Sequence, residues 1–178
     1  METAPDKKTL RLRCPELADG PRVHVLIQAC PPLELNTPYC YMILCDHFYE
    51  TCVVAEDGDQ LVGFLSAYRK PSNPSTLFVW QVAVSPSYRG CRIAFRMLDA
   101  LLERPFDSKL RFIETAVSPG NLVSRRLFTS WADAHGATLQ EEAYILSEAF
   151  LSNHEAEPLL RIGPLGNIQQ TQNGVFLG

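Results

Sequence analysis

One stretch in the middle of the chain, TLFVWQVAVSPSYRGCRIAFRMLDALL (Thr76–Leu102), constrains the fold more than any other. It reads as a buried strand, a sharp turn and a helix. Even positions (Phe78, Trp80, Val82, Val84) and odd positions (Leu77, Val79, Ala83) are both mostly apolar, so the strand is expected to be central and covered on both faces. Strict alternation puts Trp80 on the same face as Val82. Ser85-Pro86 stops the strand, because proline has no N–H for a ladder. A helix is predicted over about Cys91–Glu103, with Ala94, Met97, Leu98 and Leu101 forming one apolar stripe. Between strand and helix lies Tyr88-Arg89-Gly90-Cys91-Arg92-Ile93-Ala94. Glycine lets a backbone approach a ligand closely. The unpaired N–H groups and positive dipole end of a helix start favour an anion. Arg89 and Arg92 add charge, so the expected ligand is a di- or polyphosphate. The lysine of an ATP/GTP loop and the dinucleotide glycine pattern are both missing.

The 178 residues suit one domain with a real core, and 46% apolar content makes it globular. We expect a single domain over 9–163, a flexible N-terminus over 1–8 and a loose polar tail over 164–178. The net charge of −4, with no basic run, argues against a nucleic-acid partner and suits a cationic small substrate. No apolar run approaches the ~20 residues needed to span a bilayer, so no membrane partner is expected. METAPDKKTL lacks the apolar core of a secretory signal, and a cytoplasmic location is expected. Cys14, Cys30, Cys40, Cys45, Cys52 and Cys91 read as small hydrophobes in a reducing compartment. The four histidines are scattered without metal-ligand spacing, so no metal is expected.

The remaining pattern predicts strands at Thr9–Arg13, Thr51–Glu56, Gln60–Lys70, Lys109–Val117, Ala137–Leu146 and Pro158–Ile162. Helices are predicted at Ala18–Ala29, Pro38–Phe48 and from Asn121 to about His135. The order is β α α β β β α β α β β, an α/β (α+β) fold with a mixed sheet of six to seven strands flanked by four helices.

The segment after the central strand resembles the pyrophosphate loop of the GNAT superfamily of N-acetyltransferases, Arg/Gln-x-x-Gly-x-Gly/Ala. Aligned on Gly90, its six positions fall on Ser87 to Arg92, with Ser87 and Arg92 departing from the pattern. The element order is similar to that of the superfamily, in which the fourth and fifth strands splay and acetyl-CoA wedges into the gap. Further blocks narrow the likeness: LELNTPYCYMILCDHFYETCVVAE (33–56), TLFVWQVAV (76–84), FIETAVSPGN (112–121) and HEAEPLLRIGP (154–164). They resemble the diaminobutyrate-acetylating family of ectoine biosynthesis. That implies acetyl transfer from acetyl-CoA to the γ-amine of L-2,4-diaminobutyrate, a homodimer and a role in osmotic stress. The competing readings are acetylation of another small amine, or a non-catalytic acyl-CoA sensor.

The resemblance also implies roles for residues. The Val82 N–H would polarise the thioester carbonyl, and Val84 would pair with the pantetheine arm. Arg89, Gly90, Cys91, Arg92, Ile93 and Ala94 would hold the pyrophosphate, and Asn121 would approach the coenzyme arm. Many relatives carry a tyrosine acid where this chain has Phe128. On the acceptor side, a diamine must be bound by carboxylates and deprotonated before attack. Glu34 and Asn36 lie in the loop that covers the acceptor site in the superfamily, with Tyr39 one turn on; a solvated loop is the alternative. Trp80 could wall the pocket or simply fill core. Glu114, alone among apolar neighbours, could be a base or face outward. His154, Glu155 and Glu157 could close the pocket or form a solvated cluster.

Overall fold

The structure is a computed structural model and describes residues 10–106, 109–150 and 154–166. In chain order the elements are β1 (Leu10–Arg13), α1 (Gly20–Gln28), α2 (Pro38–His47), β2 (Val53–Asp57), β3 (Gln60–Lys70) and β4 (Asn73–Val84). There follow α3 (Ile93–Leu102), β5 (Phe112–Ala116), α4 (Leu122–Ala134), β6 (Leu139–Ile145) and β7 (Glu157–Ile162). This is the order expected from the sequence, with ends shifted by a few residues. The expected N-terminus over 1–8, Thr9 and most of the expected tail lie outside the described residues. Within the tail, Leu165 is buried and its N–H donates to Arg111 O at 2.7 Å, so the domain runs beyond residue 163.

The seven strands form one sheet in the order β1-β2-β3-β4-β5-β7-β6. Every neighbouring pair is antiparallel except β4 and β5. These run parallel and pair only at Thr76–Phe112, Leu77–Ile113 and Phe78–Glu114. Beyond Phe78 the two strands part, leaving the second half of β4 without a partner on that side. A V-shaped cleft therefore opens at the centre of the sheet.

Two apolar layers cover the sheet. α3 and α4 seal one face through Ile93, Met97, Leu98, Leu101, Phe128 and Trp131. The Trp131 indole N–H donates to Asp99 Oδ1 at 2.9 Å and joins the two helices. α1 and α2 cover part of the other face through Val23, Ile27, Tyr41 and Cys45, packed on Val54, Phe64 and Ala83. Each such side chain removed from water contributes roughly 1.5–3 kcal/mol. The buried stripe of α3 is Ile93, Met97, Leu98 and Leu101, with Ile93 in place of Ala94, and the helix starts two residues later than its sequence suggested.

The β3–β4 register shifts at two points, one near the hairpin between Arg69 and Lys70 and one in the middle of β4. Ser66 of β3 pairs with Gln81 while Ala67 pairs with Val79, so Trp80 is the extra residue of a β-bulge. The bulge reverses the parity of the strand: Leu77 and Val79 before it, and Val82 and Val84 after it, all pack against the α3–α4 layer. The expectation that Trp80 shares the face of Val82 is thereby corrected. Trp80 stays 43% exposed.

The entry to α1 is held by charge. Arg13 is bidentate to Asp19 (2.6 and 3.0 Å) and to Glu56 (2.6 and 3.0 Å), and Arg22 contacts the same two acids at 2.8 and 3.1 Å. Both acids are buried. Burial alone would raise the Asp19 carboxyl, but Arg13 and the Glu16 N–H outweigh it and hold it below the usual range. Arg13 holds Glu56 low as well, against a smaller opposing effect of burial. The network ties β1, α1 and β2 together at the edge of the sheet.

Candidate active site

The corner after β4 is open to an anion on its backbone. A short turn at Pro86–Tyr88 leads to Arg89, then Gly90 at φ +81°, then Arg92 at φ 58°. The Tyr88 hydroxyl donates to Asp57 Oδ2 at 2.8 Å and pins the turn to the β2–β3 hairpin. The first helical bond of α3 runs from the Arg96 N–H to Arg92 O at 3.0 Å, and the helix has no side-chain cap. The N–H groups of Ile93, Ala94 and Phe95 therefore point out of the helix end. Arg89, Gly90, Cys91 and Arg92 are all exposed around them.

Gly90 and Arg92 both hold left-handed angles, and the loop motif fits a second frame as well. Counting from Arg89, the six positions become Arg89-Gly90-Cys91-Arg92-Ile93-Ala94, which supplies the opening Arg and the closing Ala. The glycine position then falls on Arg92, the non-glycine residue held in the left-handed region. That conformation costs an ordinary residue about 1–2 kcal/mol. Its guanidinium lies over the Phe95 ring, 4.3 Å from the centroid.

Hydrogen bonds fix where the free half of β4 presents its backbone. The Gln81 N–H donates to Ser66 Oγ at 3.1 Å and the Ser85 N–H to Val62 O at 2.8 Å, both toward β3. Backbone groups alternate sides along a strand. The N–H groups of Val82 and Val84 therefore face the cleft, where β5 has left the ladder. The Val84 carbonyl accepts the Cys30 thiol at 3.3 Å, leaving one lone pair for a further donor. Burial pushes the Cys30 thiol up, with Arg89 opposing.

On the acceptor side the structure brings His154 and Glu157 together, with the Glu34 charge near enough to be felt at Glu157. Glu157 opens β7 beside the end of β5, where the Val117 N–H donates to Pro158 O at 3.1 Å. Its carboxylate lies 3.7 Å from His154 Nε2. Burial pushes the Glu157 carboxyl above the ordinary range; His154 opposes this and the Glu34 charge adds to it. Tyr39 is 71% exposed on α2, near the same loop in sequence. The Asn36 N–H donates to Tyr41 Oη at 3.1 Å.

Other expected site residues have structural partners. Glu114 is fully buried, and its two oxygens meet Lys70 Nζ at 2.6 Å and Arg161 Nη1 at 2.5 Å. Buried to 1% exposure and paired with two cations, Glu114 has a structural role as an ion-pair centre joining β3, β5 and β7. Glu155 accepts the Gly120 N–H at 3.0 Å and braces the loop before α4. The Asn121 side chain caps α4 by accepting the Ser124 N–H at 3.1 Å. Phe128 is buried core, so α4 supplies no hydroxyl at that position. Among the described residues, no group of three or more His, Cys, Asp or Glu side chains could hold a metal ion. Sequence reading missed Gln81, Ser66 and Tyr41. Gln81 had one usable signal, as a polar residue inside an apolar central strand.

A cleft between parallel strands, flanked by an amide-lined corner, defines an acetyltransferase of the GNAT class. The Acetyltransferase (GNAT) family model matches residues 21–132. The chain is 46% identical over 155 residues to the L-2,4-diaminobutyric acid acetyltransferase of Bordetella parapertussis, covering 86% of this chain and 83% of that one. It is 42% identical over 169 residues to the enzyme of that name from Methylotuvimicrobium alcaliphilum, covering 93% and 98%. The diaminobutyrate acetyltransferase of Paenibacillus lautus, solved in complex with its substrate L-2,4-diaminobutyric acid and coenzyme A, superposes with a TM-score of 0.85. It shares 47% identity, over 89% of this chain and 96% of that one. The chain belongs to the GNAT family and, within it, to the L-2,4-diaminobutyric acid acetyltransferases.

Proposed function

We infer that this protein transfers the acetyl group of acetyl-CoA to the γ-amine of L-2,4-diaminobutyrate, as in ectoine biosynthesis. The observation that carries this reading is the cleft itself, with an anion corner on one side and the His154–Glu157 pair and the Glu34 charge on the other. Family membership and the substrate-bound relative support it. Arg89 and the amides of Ile93 and Ala94 would hold the pyrophosphate, and Val84 would pair with the pantetheine arm. Glu34 and Glu157 would bind the γ-ammonium, with Asn36, Tyr39 and Trp80 bounding the pocket. Glu157, whose raised carboxyl lies nearer working pH than an exposed acid, accepts the γ-proton. The freed nitrogen attacks the thioester carbon. The Val82 N–H stabilises the oxyanion, the C–S bond breaks and CoA thiolate leaves. With Phe128 buried in the core, solvent supplies its proton.

Thiol release from acetyl-CoA with diaminobutyrate, ornithine or lysine tests the assignment. We expect diaminobutyrate to be turned over at least tenfold better than the longer diamines, with the γ-acetyl product identified by NMR. Equal or faster rates on ornithine would refute the substrate, and coenzyme binding without thiol release would favour a sensor.

The same proposal includes a cytoplasmic homodimer. The cysteines are all free, which suits a reducing compartment, and Tyr144 and Leu146 are exposed at the sheet edge. Light scattering should give twice the chain mass of 19.9 kDa; a single chain mass would discard the dimer.

A further inference from the structure

We propose that Gln81 is a positioning residue that sets substrate affinity and regiochemistry by clamping the backbone that carries Glu34. This rests on the diaminobutyrate reading above. Gln81 follows the bulged Trp80 directly and is buried at 7% exposure. Its Nε2 donates to the Glu34 carbonyl at 2.8 Å. A carbonyl can only accept, so the amide must turn its NH2 that way. Its Oε1 then faces Tyr41 Oη at 3.5 Å, and Tyr41 Oη in turn accepts the Asn36 N–H at 3.1 Å. The result is a one-way chain, Asn36 N–H to Tyr41 to Gln81 and Gln81 to Glu34.

The clamp grips the acceptor loop at two points just before α2, the Glu34 carbonyl and the Asn36 amide. It is anchored in β4, one residue before the Val82 amide that faces the cleft. A single side chain thus fixes the distance between the loop carboxylate and the strand that meets the thioester. Only glutamine suits both partners from this position. Glutamate would set oxygen against the Glu34 carbonyl, and methionine would have neither donor nor oxygen acceptor.

The test is steady-state kinetics of Gln81→Met, Tyr41→Phe and the double variant, beside the wild type, with γ- and α-acetylated products separated by NMR. We expect Gln81→Met to raise KM for diaminobutyrate at least tenfold, leave KM for acetyl-CoA within twofold, and release α-acetylated product. Tyr41→Phe should act in the same direction, and the double variant should fall short of the product of the two effects. If both KM values move together, or only Tm falls while product ratio and KM stay, Gln81 is structural and the proposal fails. If the wild type itself does not acetylate diaminobutyrate, the function is wrong instead. Wild-type turnover with an unchanged Gln81→Met would overturn the clamp alone.

Discussion

Replacing Glu157 by glutamine should lower kcat/KM for diaminobutyrate by roughly 10²–10⁴-fold, the range of a lost general base. Coenzyme affinity should stay within twofold, since the phosphate corner lies on the other side of the cleft. In the wild type, activity should rise with pH as the carboxylate forms, over a window above the ordinary range because burial holds its proton on. The variant should lose that limb of the profile. Stability should move the other way. Between the unfolded and folded values the native state binds more protons, so the stability of the wild type falls as pH rises through that window. The variant carries no charge to bury, and its Tm at neutral pH should hold or increase. A kcat/KM within threefold of wild type would remove Glu157 from the chemistry.

The second large effect concerns stability at the opposite edge of the sheet. Arg13→Met leaves Asp19 and Glu56 buried with Arg22 as the remaining cation of the network. Removing one partner of a buried ion pair typically costs about 3–5 kcal/mol. Urea unfolding should register a loss of that order. Both carboxyls are held low in the fold. They therefore contribute stability above their unfolded range, and that stability is lost as pH falls through the folded values. Without Arg13 those values rise, and the acid-unfolding midpoint should shift to higher pH. A cost under 1 kcal/mol with an unmoved acid midpoint would show the network to be dispensable.

Sequence reading reached far where one residue's chemistry acts alone and stopped where geometry depends on a neighbour. Both flanks of the phosphate corner were legible, because an apolar strand, a proline stop and an apolar helix stripe are local signals. The gap between β4 and β5 followed from resemblance and from no pattern in the residues. The parity of β4 was not legible: a bulge depends on the register with β3, and nothing in TLFVWQVAV marks which residue is extra. The frame of the loop motif was not legible, because Gly90 and Arg92 both hold left-handed angles and only one of them is a glycine. Glu114 was rightly conspicuous among apolar neighbours, yet Lys70 and Arg161, which occupy it, lie 44 and 47 residues away in sequence. Glu34 and Glu157 come from opposite ends of the chain, and the influence of one charge on the other is a product of topology.

The seam joining the two halves of the sheet is three residue pairs long. Strand hydrogen bonding there is too brief to act as a rigid hinge plate. The opening angle of the cleft must be fixed from beneath, by α3 and α4 acting as a splint, with the Trp131–Asp99 bond as its rivet. Coenzyme, once seated, would bridge the gap like a missing strand, so that the substrate itself completes the mechanical continuity of the protein.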